Sequence, residues 1–123
     1  MDFEIRDSRP IWQQLAQQLR ERIVTGVYPP GSHVPTVREL AAQAGVNPNT
    51  MQRALAQLEA DGLVITNRTA GRTVTEREDV LADMRRTLAL QRTEEYLKDL
   101  ESLGLDRAAA LDLLRAKGEG DNE

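Results

Sequence analysis

Apolar residues recur at Ile11, Leu15, Leu19 and Ile23, with Trp12 and Ala16 beside them and mostly polar residues between. That spacing predicts an amphipathic helix with one buried face. Pro10 suits its first turn, where no amide donor is required, Ser8 is placed to cap it, and Gly26 ends it. Pro29-Pro30-Gly31 reads as a stiff turn, and Ser32-His33-Val34 as a very short strand beside a later hairpin. Val37, Leu40 and Ala41 supply the inner face of a second helix. Thr36 and Glu39 stand at capping-box spacing before it, and Gly45 stops it. Asn47 caps a third helix with Pro48 at its first position. Met51, Leu55 and Leu58 form the apolar stripe of that helix, leaving Asn49, Gln52 and Arg53 on the other side.

Asp61-Gly62 terminates the third helix, and the period then changes. Leu63–Asn67 and Arg72–Thr75 alternate as two strands do, with Thr69-Ala70-Gly71 as the hairpin tip. From residue 76 the chain is charge-rich and helical in period, with Leu81, Met84, Leu88, Leu97, Leu100 and Leu103 as the apolar positions. Gly104 gives a stop, and Asp106 caps a last short helix through Ala110, Leu111 and Leu114 to about Ala116. The end, GEGDNE, is expected to be frayed. The fold class expected is mainly α with a small β-hairpin: a winged helix-turn-helix over residues 8–75, a helical tail over 76–117, and a disordered 118–123. Helix, turn, helix and hairpin in that order have one dominant use, which is to place the second helix of the motif in the major groove of DNA.

The formal net charge of −4 argues against a nucleic-acid partner until its distribution is considered. Residues 1–75 sum to +1 and residues 76–123 to −5, so the acidic excess sits in the tail. Within 26–75 the bases Arg38, Arg53, Arg68 and Arg72 fall near a helix start, a recognition face or the hairpin. Attraction to phosphate needs a local basic face rather than a basic protein. The acidic clusters around Glu76-Arg77-Glu78-Asp79 and Glu94-Glu95 read as solvated helix faces.

Other chemistry is thin. With no cysteine there is no disulfide framework or thiolate metal site, which fits a reducing cytoplasm. No apolar run is long enough to cross a membrane, and the charged N-terminus carries no secretory signal. The lone His33 sits in a turn without a second ligand, so neither metal nor cofactor is expected. No nucleophile–base set or phosphate-cradling glycine loop appears, and an enzyme is not expected.

The segment PIWQQLAQQLRERIVTGVYPPGSHVPTVRELAAQAGVNPNTMQRALAQLEADGLV, within residues 9–75, resembles the DNA-binding domain of the GntR family of bacterial transcription regulators. The short helical tail looks like that of the YtrA-type subfamily, whose tails make dimers. The resemblance implies a base-contacting Arg38 reaching from the first helix of the motif. It places Asn47, Asn49, Thr50, Gln52 and Arg53 at recognition-helix positions that face DNA. The amides at the helix start capped by Thr36 are available to phosphate oxygens. In the wing, where the family usually has Gly-x-Gly-Thr-aromatic, this chain has Thr69-Ala70-Gly71-Arg72-Thr73. Only the second glycine is kept, so contact there rests on Arg68, Gly71 and Arg72.

The resemblance further implies a homodimeric repressor of a pseudo-palindromic operator, with half-sites about one helical turn apart and a transporter operon as target. The dimer interface is expected at Leu81, Met84, Leu88, Leu97, Leu100, Leu103, Leu111 and Leu114, a stripe too apolar to stay wet. The tail leaves room for an unknown small-molecule effector only at the dimer interface or between tail and wing. The alternative is a module whose helical tail binds a partner protein without specific DNA readout.

Overall fold

A computed structural model describes residues 2–6 and 8–121. Its elements are α1 (Ile11–Val24), α2 (Val37–Ala44), α3 (Pro48–Ala60), β1 (Val64–Asn67), β2 (Gly71–Val74), α4 (Glu78–Glu101) and α5 (Arg107–Asp121). The chain divides into two compact units, residues 1–85 and 86–123.

In the first unit the apolar stripes of the three short helices meet. Leu15 and Leu19 of α1, Leu40 of α2, and Met51, Leu55 and Leu58 of α3 are completely buried. Each leucine so removed from water contributes about 1.5–3 kcal/mol of transfer free energy. α3 is the central element, packed on α1, α2 and β1. Leu63, Val64 and Val74 bring the hairpin into the same core.

β1 and β2 are antiparallel, pairing Val64 with Val74 and Asn67 with Gly71 across a three-residue connection. Gly71 has a φ of +73°, the left-handed conformation that such a connection favours in glycine. The expected short strand is present as a single bridge between His33 and Thr73. The Val34 amide donates to the Arg72 carbonyl, and the Val74 amide to that of Ser32, both at 2.9 Å. β2 is therefore paired on both edges, which fixes the wing at its base.

Three local readings change. Pro10 lies just outside α1 as its N-cap, and its own side chain makes no capping hydrogen bond. The Pro10 carbonyl instead takes the first helical bonds from Gln13 and Gln14. Ile11, at the outermost turn, stays 44% exposed. α5 runs on through Gly118 to Asp121 rather than stopping near Ala116. A helical glycine costs about 1 kcal/mol relative to alanine, too little to end a helix already propagating. Asn122 and Glu123, also expected to be disordered, lie outside the described residues.

The domain boundary moves as well. The first turns of α4 belong to the first unit, where Leu81 is buried in the core with Val80 and Met84 packed against it. The Arg85 guanidinium donates to the Val24 carbonyl at the end of α1, at 3.0 Å. Leu81 and Met84, assigned to a dimer interface from their spacing, are thus engaged by their own subunit. Their i, i+3 spacing is common to any buried helix face and does not name the partner.

An N-terminal arm also packs on α1, and sequence periodicity gave no sign of it. The Glu4 and Arg6 amides donate to the side-chain oxygens of Gln18 and Gln14, which return hydrogen bonds to the Glu4 and Arg6 carbonyls. Phe3 lies under the buried Arg22 guanidinium at 3.8 Å, and Arg22 donates to the Tyr28 hydroxyl at 2.7 Å.

In the second unit Gly104, with φ +84°, closes α4. The Ala109 amide donates to Asp106 Oδ1 at 2.9 Å, the expected cap of α5. Leu88 and Ala110 are buried, and Leu97 and Leu100 are half-buried. Leu103, Leu111 and Leu114 are 74%, 48% and 58% exposed. Among the described residues no helix is long and apolar enough to cross a membrane.

Candidate nucleic-acid interface

The surface that carries the predicted residues is built from the start of α2, the first turns of α3, and the wing. At α2 the Thr36 hydroxyl accepts the Glu39 amide at 3.1 Å and donates to Glu39 Oε1 at 3.0 Å. In the capping box expected from sequence the carboxylate would return to the cap amide. Here it takes the hydroxyl proton instead. The result for the site is the same: Glu39 is turned back onto the cap. Arg38, its neighbour, is exposed and makes no ion pair among the described residues. It borders a groove with Thr36 and Val37 on one side and Ala70, Gly71 and Arg72 of the wing on the other.

α3 begins at Asn47, whose Oδ1 accepts the Asn49 amide at 2.8 Å. Pro48 at the first position needs no donor and holds the helix open at that end. Gly45, with φ +67°, ends α2 and makes the turn that leads into α3. Asn49 and Gln52 are exposed and Thr50 is half-buried, so this turn of α3 faces outward while Met51, between them, is completely buried.

Arg53 is placed differently from Arg38. Its guanidinium lies over the Trp12 ring, 4.3 Å from the centroid. Sequence spacing assigned Trp12 to the core; it is instead half-buried and forms a platform beneath Arg53. Stacking of this kind contributes about 0.5–1 kcal/mol at an exposed site and leaves the guanidinium edges free to donate. That arrangement suits a phosphate better than a base edge.

The wing is tied to α3. Arg72 Nε donates to Glu59 Oε1 at 3.0 Å, and Arg72 Nη2 donates to Gln52 Oε1 at 3.2 Å. The Thr66 hydroxyl, cross-strand from Arg72, donates to the same Glu59 oxygen. The Thr66 hydrogen bond, then those and the charge of Arg72, hold the Glu59 carboxyl below the ordinary carboxylate range. Arg68 at the hairpin tip is exposed and makes no ion pair among the described residues. The four arginines that sequence grouped together therefore divide: Arg38 and Arg68 are unpaired, Arg53 is stacked, and Arg72 is bonded within the protein. Glu59, Thr66 and Trp12 were not among the expected site residues. The cross-strand pairing of Thr66 with Arg72, seven positions' separation of Gln52 and Glu59 on one helix face, and a half-buried aromatic beside α3 become informative only in three dimensions.

Among the described residues no cluster of His, Cys, Asp or Glu is arranged to hold a metal ion. A helix-turn-helix with a hairpin wing, two capped helix starts and an unpaired arginine between them defines a winged-helix DNA-binding protein. Comparison with known proteins agrees. The family described as bacterial regulatory proteins, gntR family, matches residues 11–74, just over half of the chain. The uncharacterized HTH-type transcriptional regulator YhcF of Bacillus subtilis is 34% identical over 120 residues, covering 98% of this chain and 99% of that protein. The HTH-type transcriptional repressor YtrA of the same organism is 32% identical over 107 residues, covering 86% and 82%. A GntR family transcriptional regulator from Listeria monocytogenes superposes with a TM-score of 0.80 at 33% identity, over 91% of this chain and 98% of that one. The chain belongs to the GntR family, in its YtrA-like branch, and is a DNA-binding transcriptional regulator.

Proposed function

We propose that the protein is a homodimeric repressor that binds a pseudo-palindromic operator through Arg38, Asn49, Thr50 and Gln52. Thr36, Asn47, Arg53, Arg68, Gly71 and Arg72 serve phosphate contact and positioning. The observation that carries this reading is the state of Arg38, which lies at the start of α2 and, among the described residues, is neither paired nor stacked. An exposed guanidinium with five free donors matches the acceptors of a guanine edge, and such a bidentate pair discriminates against the wrong base by about 1–3 kcal/mol.

Dimerisation through the second unit is supported by Leu103, Leu111 and Leu114, apolar side chains that the single chain leaves in water. Burying them against a second copy follows the usual two-fold logic and sets two recognition helices about one helical turn apart. The repressor assignment rests on the likeness to YtrA, and the transporter operon on the same branch of the family.

The test is the salt dependence of binding to DNA selected from a random pool. Two subunits, each offering Arg53 and Arg68 to phosphate, are expected to lose affinity on the order of 100-fold between about 50 mM and about 200 mM salt. Affinity indifferent to salt, or no enrichment of any sequence, contradicts this reading and favours a tail that binds protein.

A further inference from the structure

Gln52 is exposed on α3, and its amide has two unlike ends: an oxygen that only accepts and a nitrogen that only donates. Adenine is read by using both, because its major-groove edge offers the N6 donor beside the N7 acceptor. In this protein the oxygen end is already engaged from the wing side, on one of its two lone pairs. Arg72 Nη2, reaching from the wing, donates to Gln52 Oε1 at 3.2 Å. A guanidinium has no acceptor, so only the oxygen of the amide can face it, and the orientation of Gln52 follows from chemistry. The nitrogen end has no hydrogen-bond partner among the described residues, on a side chain that is exposed.

Arg72 is in turn held in place. Its Nε donates to Glu59 Oε1 at 3.0 Å, and Thr66, its cross-strand partner, donates to the same oxygen. Glu59 lies seven residues beyond Gln52, two helical turns along the same face of α3. One guanidinium thus spans both positions and fixes the Gln52 amide from the wing side. The Arg72 side chain is 19% exposed, so the guanidinium is largely covered although its two partners stand at the surface.

We propose that Arg72 is a specificity-determining positioning residue that acts through Gln52, holding the amide oxygen so that Gln52 presents only donors to the groove and selects guanine over adenine. Guanine offers acceptors at both N7 and O6, which an outward amide nitrogen satisfies, whereas adenine would set its N6 donor against that nitrogen. This inference rests on the reading of α3 as the helix that enters the groove.

The test is base selection from a randomised duplex pool by the full chain and three variants. Gln52→Ala locates the base pair that depends on Gln52, as the position where preference flattens. At that position the wild type is expected to prefer guanine. Arg72→Ala frees the amide to rotate and is expected to raise adenine relative to guanine on the order of tenfold. Gln52→Glu retains an acceptor for Arg72 but removes the donor, so guanine preference is lost and cytosine, which offers an N4 donor, gains. This second variant changes an exposed side chain and keeps the claim testable even if Arg72→Ala loosens the wing. Adenine preferred by the wild type at the Gln52-dependent position overturns the proposal. So does Arg72→Ala with the guanine preference intact and affinity lowered equally for all sequences, the mark of a phosphate contact. Enrichment with no Gln52-dependent position overturns this inference alone, whereas no enrichment at all overturns the operator reading with it.

Discussion

The two units of this chain use the same apolar residue at the same helical spacing and treat it in opposite ways. In residues 1–85 the leucines of α1, α2 and α3 are completely buried; in residues 86–123 Leu103, Leu111 and Leu114 are 74%, 48% and 58% exposed. The first unit encloses a core because three helices and a hairpin converge from different directions on α3. The second has the last part of α4 and α5, and a pair of helices has no third layer to cover its outer leucines. A leucine stripe says that something must cover it, and only the count of surrounding elements says whether that cover comes from the same chain.

The largest effect separates the two units directly. Leu55→Ala, at a completely buried position, is expected to lower stability by about 2–5 kcal/mol in thermal or denaturant unfolding. An equal loss from Leu114→Ala at protein concentrations where the chain is monomeric would erase the distinction. Next comes association: Leu111→Glu with Leu114→Glu is expected to turn a dimer into a folded monomer by light scattering, with helix content unchanged. A dimer that survives both changes would move the interface elsewhere.

The smallest effect lies within the first unit, at the contact between wing and α3. The Glu59 carboxyl is held below its ordinary value in the folded protein, so its stabilising contribution is present above that value and is lost as pH falls through the folded one. Wild type and Glu59→Gln are therefore expected to differ in melting temperature at neutral pH and to converge on acidification below the ordinary carboxylate range. The gap is small because Glu59 is exposed. A difference that grows on acidification would contradict the assignment.

Much of this was legible in the sequence, and for physical reasons. Caps and breakers act locally, so Thr36, Gly45, Asn47 with Pro48, Gly104 and Asp106 marked their helix ends correctly. The buried faces of α1, α2 and α3 followed from period alone. What could not be read were relations between distant residues. Nothing local reveals that Arg72 would bridge Glu59 and Gln52, that Arg53 would lie on Trp12, or that Gln14 and Gln18 would hold an extended arm. Leu81 and Met84 were misassigned for the same reason, since a stripe carries no address. At the candidate interface, position in the sequence grouped the residues, and their division into unpaired, stacked and bonded required coordinates.

The central claim is that Arg38, unpaired at the start of α2, reads a base. The most direct measurement is the affinity of the wild type and Arg38→Ala for a selected duplex and for a scrambled one, at one fixed salt concentration. Loss of about 1–3 kcal/mol on the selected duplex, with little change on the scrambled one, is the predicted result. Equal weakening on both would reduce Arg38 to a phosphate contact and contradict the account.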